Sequence, residues 1–314
     1  VDVSVIIPVF NEQDNLERLH DEIKTGLKSL SGEYEIIFVD DGSRDVSMEV
    51  LLRLRDSDPH VKVISFRKNF GQTAAISAGF DHARGDVVVT MDADLQNDPA
   101  DIPMLLDKIN EGYDLVSGWR YDRKDNWLSR RLPSVLANRL ISWATDVKLN
   151  DYGCTLKAIR KEVVENITLY GELHRFIPAV ASWMGVRIAE VKVNHRPRVA
   201  GKSKYGISRV FRVLLDLITV KFLLSYSGRP IQFFGVPGLV CGSLGILLAL
   251  YLTFQRLVLG IPIGDRPLLL LAVLLIIVGI QFIVFGLLGE LQIRTYHESL
   301  NKPIYFIKNK YGID

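Results

Sequence analysis

Val87-Val88-Val89-Thr90-Met91-Asp92-Ala93-Asp94-Leu95-Gln96 closes an apolar run with two carboxylates spaced i, i+2. On an extended backbone, side chains two apart project to the same side, so Asp92 and Asp94 converge on one cation at a strand's carboxyl end. That arrangement suits a diphosphate and its metal ion. A solvated acidic turn is the plainer meaning of so short a pattern, and the surrounding sequence decides between the two.

Outward from this stretch, β-rich runs recur at Val3–Ile7, Tyr34–Val39, Val61–Phe66, Val87–Met91 and Leu115–Ser117. Leu16, Leu19, Ile23, Leu27 and Leu30 fall on one helix face, as do Ile102, Leu105, Leu106 and Ile109. Strands separated by helices predict an α/β domain with a largely parallel sheet, and such sheets bind ligands beyond their strands' carboxyl ends. The residues expected there are polar: Pro8-Val9-Phe10-Asn11-Glu12, Asp40-Asp41-Gly42-Ser43, Arg67-Lys68-Asn69-Phe70-Gly71-Gln72, and the Asp92/Asp94 pair. No Gly-x-Gly-x-x-Gly follows the first run, which argues against a dinucleotide oxidoreductase. Arg196 stands where a P-loop around Gly201-Lys202-Ser203 would need glycine.

Charge is nearly balanced, with Lys+Arg 38 against Asp+Glu 36, so nothing suggests a nucleic-acid partner. Cys154 and Cys241 sit in dissimilar surroundings and imply neither a disulfide framework nor a thiolate cluster. The distribution of charge says more than its total: Phe233–Gln255 and Pro267–Gly289 contain no Asp, Glu, Lys or Arg. As helices rising roughly 1.5 Å per residue, each reaches roughly 34 Å, enough to cross a hydrocarbon core of roughly 30 Å. Gly260, Pro262 and Gly264 between them predict a hairpin. Basic residues crowd its outer ends, with Lys202, Lys204, Arg209, Arg212, Lys221 and Arg229 before and Arg294, Lys302, Lys308 and Lys310 after, against Arg256 and Arg266 in the turn. The positive-inside rule then places both ends in the cytoplasm. Gly238-x-x-x-Gly242 is a packing motif that serves equally within the hairpin or between copies, which leaves a homo-oligomer open.

Residues 127–145 are expected to be helical, and Val186–Val193 a strand leading to His195. Between Ile207 and Tyr226 an apolar face at Ile207, Val210, Phe211, Leu214, Leu217, Ile218 and Phe222 predicts a helix lying in the membrane surface. Arg196–Lys204, with four cations beside that helix, is expected to place phosphate-binding groups at a lipid head group.

Taken together, Val5-Ile6-Ile7-Pro8-Val9-Phe10-Asn11-Glu12, Val39-Asp40-Asp41-Gly42-Ser43, Met91-Asp92-Ala93-Asp94-Leu95-Gln96, Gly118-Trp119-Arg120 and Gly201-Lys202-Ser203-Lys204-Tyr205 resemble the inverting glycosyltransferase family two. The closest likeness is to its polyprenyl-phosphate branch, which includes dolichol-phosphate mannose synthases and bacterial undecaprenyl-phosphate sugar transferases. The resemblance implies a GT-A fold, Rossmann-like with a mainly parallel sheet. It implies that Asp94 and Gln96, assisted by Asp92, hold Mg²⁺ or Mn²⁺ on a nucleotide sugar. Pro8, Val9, Asn11, Glu12, Asp40, Lys68, Asn69 and Asp92 would bind the nucleotide. For Glu12, a plain helix-start carboxylate is an equal reading.

On the acceptor side, Arg120, Arg130, Arg131, Ser134, Lys202, Ser203 and Lys204 are the candidates for a lipid phosphate, and Asp151 corresponds to the family's acceptor-side aspartate. The Gln-x-x-Arg-Trp of processive synthases is replaced by Leu173-His174-Arg175-Phe176-Ile177-Pro178, which argues for transfer of a single sugar.

The expected organisation is a catalytic domain over 1–206, an amphipathic interface region over 207–230, a two-helix transmembrane hairpin over 231–293 and a cytoplasmic tail over 294–314, all at an inner membrane. The expected reaction is inverting transfer to polyprenyl phosphate, with glucose from UDP-glucose the favoured donor. GDP-mannose or UDP-aminoarabinose donors are the alternatives, as is a non-catalytic membrane scaffold built on a nucleotide-binding fold.

Overall fold

The computed structural model describes residues 1–28, 30, 32–121, 142, 147–167, 169, 173–197, 230–262, 267–299 and 305–313. They form two compact units. The first comprises residues up to Val220 together with Pro303–Asp314, and the second is Lys221–Lys302. The expected helices at 127–145 and 207–226, and with them Arg130, Arg131, Ser134, Lys202, Ser203 and Lys204, lie outside the described residues apart from Ser142.

In the first unit, β1 (Val3–Val9), α1 (Leu16–Leu27), β2 (Tyr34–Asp40), α2 (Ser47–Ser57), β3 (Val61–Phe66), α3 (Gln72–His82), β4 (Val87–Thr90), α4 (Ile102–Asn110) and β5 (Leu115–Trp119) alternate as expected. They are followed by β6 (Lys157–Arg160), α5 (Lys161–Val164), α6 (Ile177–Ser182), β7 (Ile188–Lys192) and β8 (Ile307–Tyr311). The strands make one sheet in the order β7-β5-β6-β4-β1-β2-β3-β8. Pairs β1–β2, β1–β4, β2–β3 and β5–β7 are parallel, whereas β4–β6, β5–β6 and β3–β8 are antiparallel.

Six strands therefore end at one edge of the sheet, and β6 and β8 begin there. This differs from the sequence expectation in two places: β6 was not anticipated, and part of the presumed tail after residue 294 is an edge strand.

Alternation along the strands divides the core. Val3, Val5, Ile7 and Val9 of β1 join Leu16, Leu19, Ile23 and Leu27 of α1 and Ile102, Leu105, Leu106 and Ile109 of α4 in one apolar cluster. Burying each such leucine or isoleucine contributes about 1.5–3 kcal/mol. Ile6 faces the opposite side, where α3 lies so close that a Cβ at Gly79 would fall 2.3 Å from Ile6 Cγ2. With both faces covered, the central strands are largely apolar, and the polar side chains Ser4, Glu35 and Lys62 within them bond to one another.

In the second unit, α7 (Pro230–Leu257) and α8 (Pro267–Ser299) are long and apolar enough to cross a membrane over Phe234–Leu257 and Pro267–Leu288. They pack antiparallel through glycine: a Cβ on Gly279 would meet Gly242 N at 2.7 Å and Gly238 O at 2.8 Å, and one on Gly245 would meet Ala272 O at 2.9 Å. The motif expected at Gly238 and Gly242 thus serves packing within the hairpin. Leu247, Leu250, Leu270, Leu274 and Ile280 stay exposed, an apolar girdle that water would not tolerate and lipid tails would solvate.

Candidate active site

The loops leaving the sheet at its carboxyl edge are stitched together one to the next. After β1, Asn11 adopts φ +54. Its backbone N–H donates to Ser43 Oγ at 3.0 Å, and its Oδ1 accepts from the Arg44 N–H at 2.8 Å. The Glu12 N–H donates to Ser47 Oγ at 3.0 Å, while Glu12 Oε2 accepts from Asn15 Nδ2 at 2.8 Å, just before α1. Pro8 and Val9 sit at the end of β1, paired with Val39 and Asp40 of β2.

Asp40 is buried, and its Oδ1 accepts from the Ser43 N–H; burial pushes its pKa upward. Asp41 accepts from the backbone N–H of Phe70 at 2.6 Å and of Gly71 at 2.9 Å, which ties the β2 loop to the β3 loop. Gly42 has φ +69, and a Cβ there would lie 2.6 Å from the Lys68 carbonyl carbon, so only glycine fits. Lys68 and Asn69 are exposed on this loop, with Lys68 Nζ 5.1 Å from the Phe70 ring centroid.

From α3, Gln72 Nε2 donates to Asp92 Oδ1 at 2.6 Å. The carboxylate pair lies past the end of β4, in a turn where Leu95 has φ +62. Convergence on an extended strand, the expected cause of their proximity, is therefore corrected to a turn geometry. Asp94 is buried, and its Oδ1 accepts from the Gln96 N–H at 3.1 Å. Burial and the neighbouring charge of Asp94 raise the Asp92 pKa to about 6. Carboxylates held this close favour a cation between them, and their hard oxygens suit Mg²⁺ or Mn²⁺. Among the described residues no group of three or more His, Cys, Asp or Glu is placed to hold a metal. Among the described residues the pair therefore stands without a third such ligand.

The loop before β6 lies near the pair, with Thr155 bonding Asp92. Asp151 is 3% exposed; its Oδ2 accepts from Arg120 Nε at 2.7 Å and its Oδ1 from Arg120 Nη2 at 2.9 Å. Burial works against the Arg120 charge, and the Asp151 carboxylate more than offsets it, so Arg120 stays protonated. Lys157, 2% exposed, donates to the Cys154 carbonyl. Burial lowers its pKa, while the nearby Asp151 and Asp92 favour its charge. The buried Cys154 thiol is pushed up to about 11 by desolvation and is no nucleophile at neutral pH. Three carboxylates and two cations thus share one low-dielectric edge.

Arg196, expected among the phosphate-binding cations, instead pairs with Glu22 at 2.5 Å and Asp98 at 2.8 Å. It fixes the segment after β7 against Gln96, whose carbonyl accepts from the Arg196 N–H. Arg120, expected to face a lipid phosphate, is engaged by Asp151. Sequence reasoning placed Gln72 at this edge without its bond to Asp92, and it missed Lys157. A lysine alone in the run Cys154-Thr155-Leu156-Lys157-Ala158-Ile159 was the available signal.

One edge of a parallel-rich sheet thus carries Asp92, Asp94 and the Arg120–Asp151 pair. Residues 4–168 match the family described as Glycosyl transferase family 2, and the chain belongs to that family. Over 98% of its length it is 42% identical to a dodecaprenyl-phosphate galacturonate synthase of Rhizobium johnstonii, of which 92% is covered. It is 40% identical, again over 98% of its length, to an undecaprenyl-phosphate 4-deoxy-4-formamido-L-arabinose transferase of Shewanella sediminis, also 92% covered. The fold is similar to that of glucosyl-3-phosphoglycerate synthase from Mycobacterium tuberculosis in complex with Mn²⁺ and uridine-diphosphate-glucose. That match has TM-score 0.56 at 18% identity and covers 72% of this chain and 81% of the other.

Proposed function

We propose that this protein transfers one sugar from a nucleotide sugar to polyprenyl phosphate, with inversion at the anomeric carbon. The observation that carries the reading is the nearness of two groups at one sheet edge: a carboxylate pair suited to a metal diphosphate and an arginine, bonded to Asp151, whose charge acts on Asp92. Relatives covered over nearly their whole length are named for polyprenyl-phosphate acceptors, and this supports the acceptor class. Their named sugars, a galacturonate and a formamido-arabinose, shift the proposed donor away from glucose towards a modified sugar carried on UDP.

In the reaction an acceptor phosphate oxygen bonds to the anomeric carbon from the face opposite the leaving group. The bond from that carbon to the nucleoside diphosphate breaks, and the departing diphosphate oxygen takes the electron pair. A divalent ion held by Asp94 and Asp92, with Gln96 adjoining, would supply charge neutralisation to the departing diphosphate. The β1 and β2 loops, with Pro8, Val9, Asn11, Glu12 and Asp40, would hold the nucleoside, and Lys68 and Asn69 would close over it.

A phosphate monoester loses its second proton with a pKa of roughly 6, so the acceptor arrives largely deprotonated and needs little help from a base. Asp151 then serves by fixing the Arg120 guanidinium, which guides the incoming anion. Arg130, Arg131, Ser134, Lys202, Ser203 and Lys204 remain the proposed further contacts to the lipid phosphate.

The hairpin supports an inner-membrane location with the catalytic unit in the cytoplasm, where nucleotide sugars are made. Chain on either side of the hairpin contributes to one sheet, and two crossings return the chain to the side it left.

The deciding experiment incubates purified protein and polyprenyl phosphate with UDP-galacturonate, UDP-4-deoxy-4-formamido-L-arabinose, UDP-glucose and GDP-mannose in turn, and weighs the glycolipid by mass spectrometry. One modified UDP-sugar should be consumed, with loss of turnover in excess chelator and in Asp94→Ala. Turnover of UDP-glucose alone would restore the original donor expectation, and no glycolipid from any donor would end the reading.

A further inference from the structure

The segment Tyr305–Ile307 reaches the site edge because β8 runs antiparallel to β3, with Ile307 opposite Phe66. Its contacts fall on β3, the loop after it and α3. The Phe306 carbonyl accepts from the Arg67 N–H at 3.1 Å. The Phe306 ring lies 6.0 Å from that of Phe70, and Tyr305 stacks on Phe66 at 5.2 Å with an interplanar angle of 14°. Phe66 in turn meets Phe70 edge-on at 5.7 Å. The Tyr305 hydroxyl donates to Asp81 Oδ2 at 2.6 Å, near the far end of α3.

The segment thus grips β3, the loop after it and α3 together. That loop presents Lys68 and Asn69, gives its Phe70 and Gly71 N–H groups to Asp41, and leads directly to Gln72 on Asp92. Phe306 is 61% exposed, so its ring contributes little to the core, whereas its position against Phe70 bears directly on the loop.

We propose that Tyr305 and Phe306 are positioning residues of the donor site: they hold the β3–α3 loop in the conformation that binds the nucleotide sugar. The inference rests on the reading of Lys68 and Asn69 as donor-binding residues. It assigns a part in donor binding to the segment that follows the membrane hairpin in sequence. Because the loop is held from one side by Asp41 and from the other by this aromatic cluster, loosening one side should displace Lys68 and Gln72 together. Misplacement of groups that orient a substrate by about 1 Å is enough to cost a large factor in rate.

The test measures steady-state kinetics of the full-length protein in detergent, varying donor and lipid phosphate separately. Hydrogen exchange of the peptide spanning Arg67–Gln72 is followed in parallel. Phe306→Ala should raise the donor KM roughly tenfold, leave the lipid KM and the melting temperature unchanged, and speed exchange in that peptide. Phe306→Tyr should restore wild-type values. Tyr305→Phe, which keeps the stack and removes only the bond to Asp81, should give a smaller rise in the same parameter. Lys308→Ala, further along β8, should change nothing.

An unchanged donor KM in Phe306→Ala, alongside a raised one in Lys68→Ala, overturns the positioning role and spares the donor-loop reading. An unchanged donor KM in Lys68→Ala as well overturns both. Equal rises in the donor and lipid KM values would show a general structural effect and also overturn it.

Discussion

At the scale of single residues, the site is organised by carboxylates with different tasks. Asp151 is bound through both oxygens to Arg120, so replacing it with Asn frees a buried guanidinium from its partner and misplaces it. The Asp151→Asn variant should lose roughly 10²-fold or more in turnover. The loss should persist from about pH 6 to 9, because the acceptor phosphate, with its pKa of roughly 6, needs no base above that value. Recovery of the variant as pH rises would return Asp151 to the role of general base.

Asp41 carries a different consequence. Burial holds its pKa at about 6 against the usual 3.8, so between these values the folded chain retains a proton that the unfolded chain has released. Stability from this group is complete below the unfolded value and is lost as pH rises through about 6. Asp41→Asn removes that dependence. In thermal melts, the advantage of wild type over variant should be larger at pH 4 than at pH 7, and a constant difference would contradict the assignment.

At the scale of elements, β1 to β5, α1 and α4 were legible because periods of two and of 3.6 are written in their apolar residues. The chemistry-bearing loops followed, since a parallel sheet sends its carboxyl ends to one edge. What escaped were the two reversed strands. β6 is only four residues long and carries a buried lysine, while β8 has three consecutive polar residues, Lys308, Asn309 and Lys310, and follows the apolar hairpin. Their strand character is imposed by partners distant in sequence, not by local pattern. The stretch Asp92–Gln96 and the Arg120–Asp151 region were readable as motifs. The bond between Arg120 and Asp151 was not, because it spans thirty-one positions.

The hairpin gives a prediction at this scale. Gly279 has backbone atoms of α7 within 3 Å of where a Cβ would sit, and backbone cannot step aside as a flexible side chain would. Gly279→Leu should therefore separate the helices at a cost of about 1–3 kcal/mol, seen as a lower melting temperature in detergent. Leu274→Ala, at an exposed position, should leave the melting temperature nearly unchanged. Equal effects would deny the glycine seam.

At the scale of the whole molecule, the two units are tied by chain connectivity in both directions, since the sheet receives strands from before and after the hairpin. Cysteines introduced near Gly264 should react with an impermeant thiol reagent added to intact cells, and cysteines near Lys308 should react only after permeabilisation. The reverse pattern would place the catalytic unit outside.

The position of β8 in the chain also sets an order of events during synthesis. A ribosome delivers β1 to β7 first, then two apolar helices, and only then the strand that covers β3. Until that last strand has been synthesised, the β3 edge has no partner from β8 and the loop at its end lacks its aromatic brace. The nascent catalytic unit is thus incomplete while still unanchored, and completion of its sheet is timed to the arrival of the protein in the bilayer.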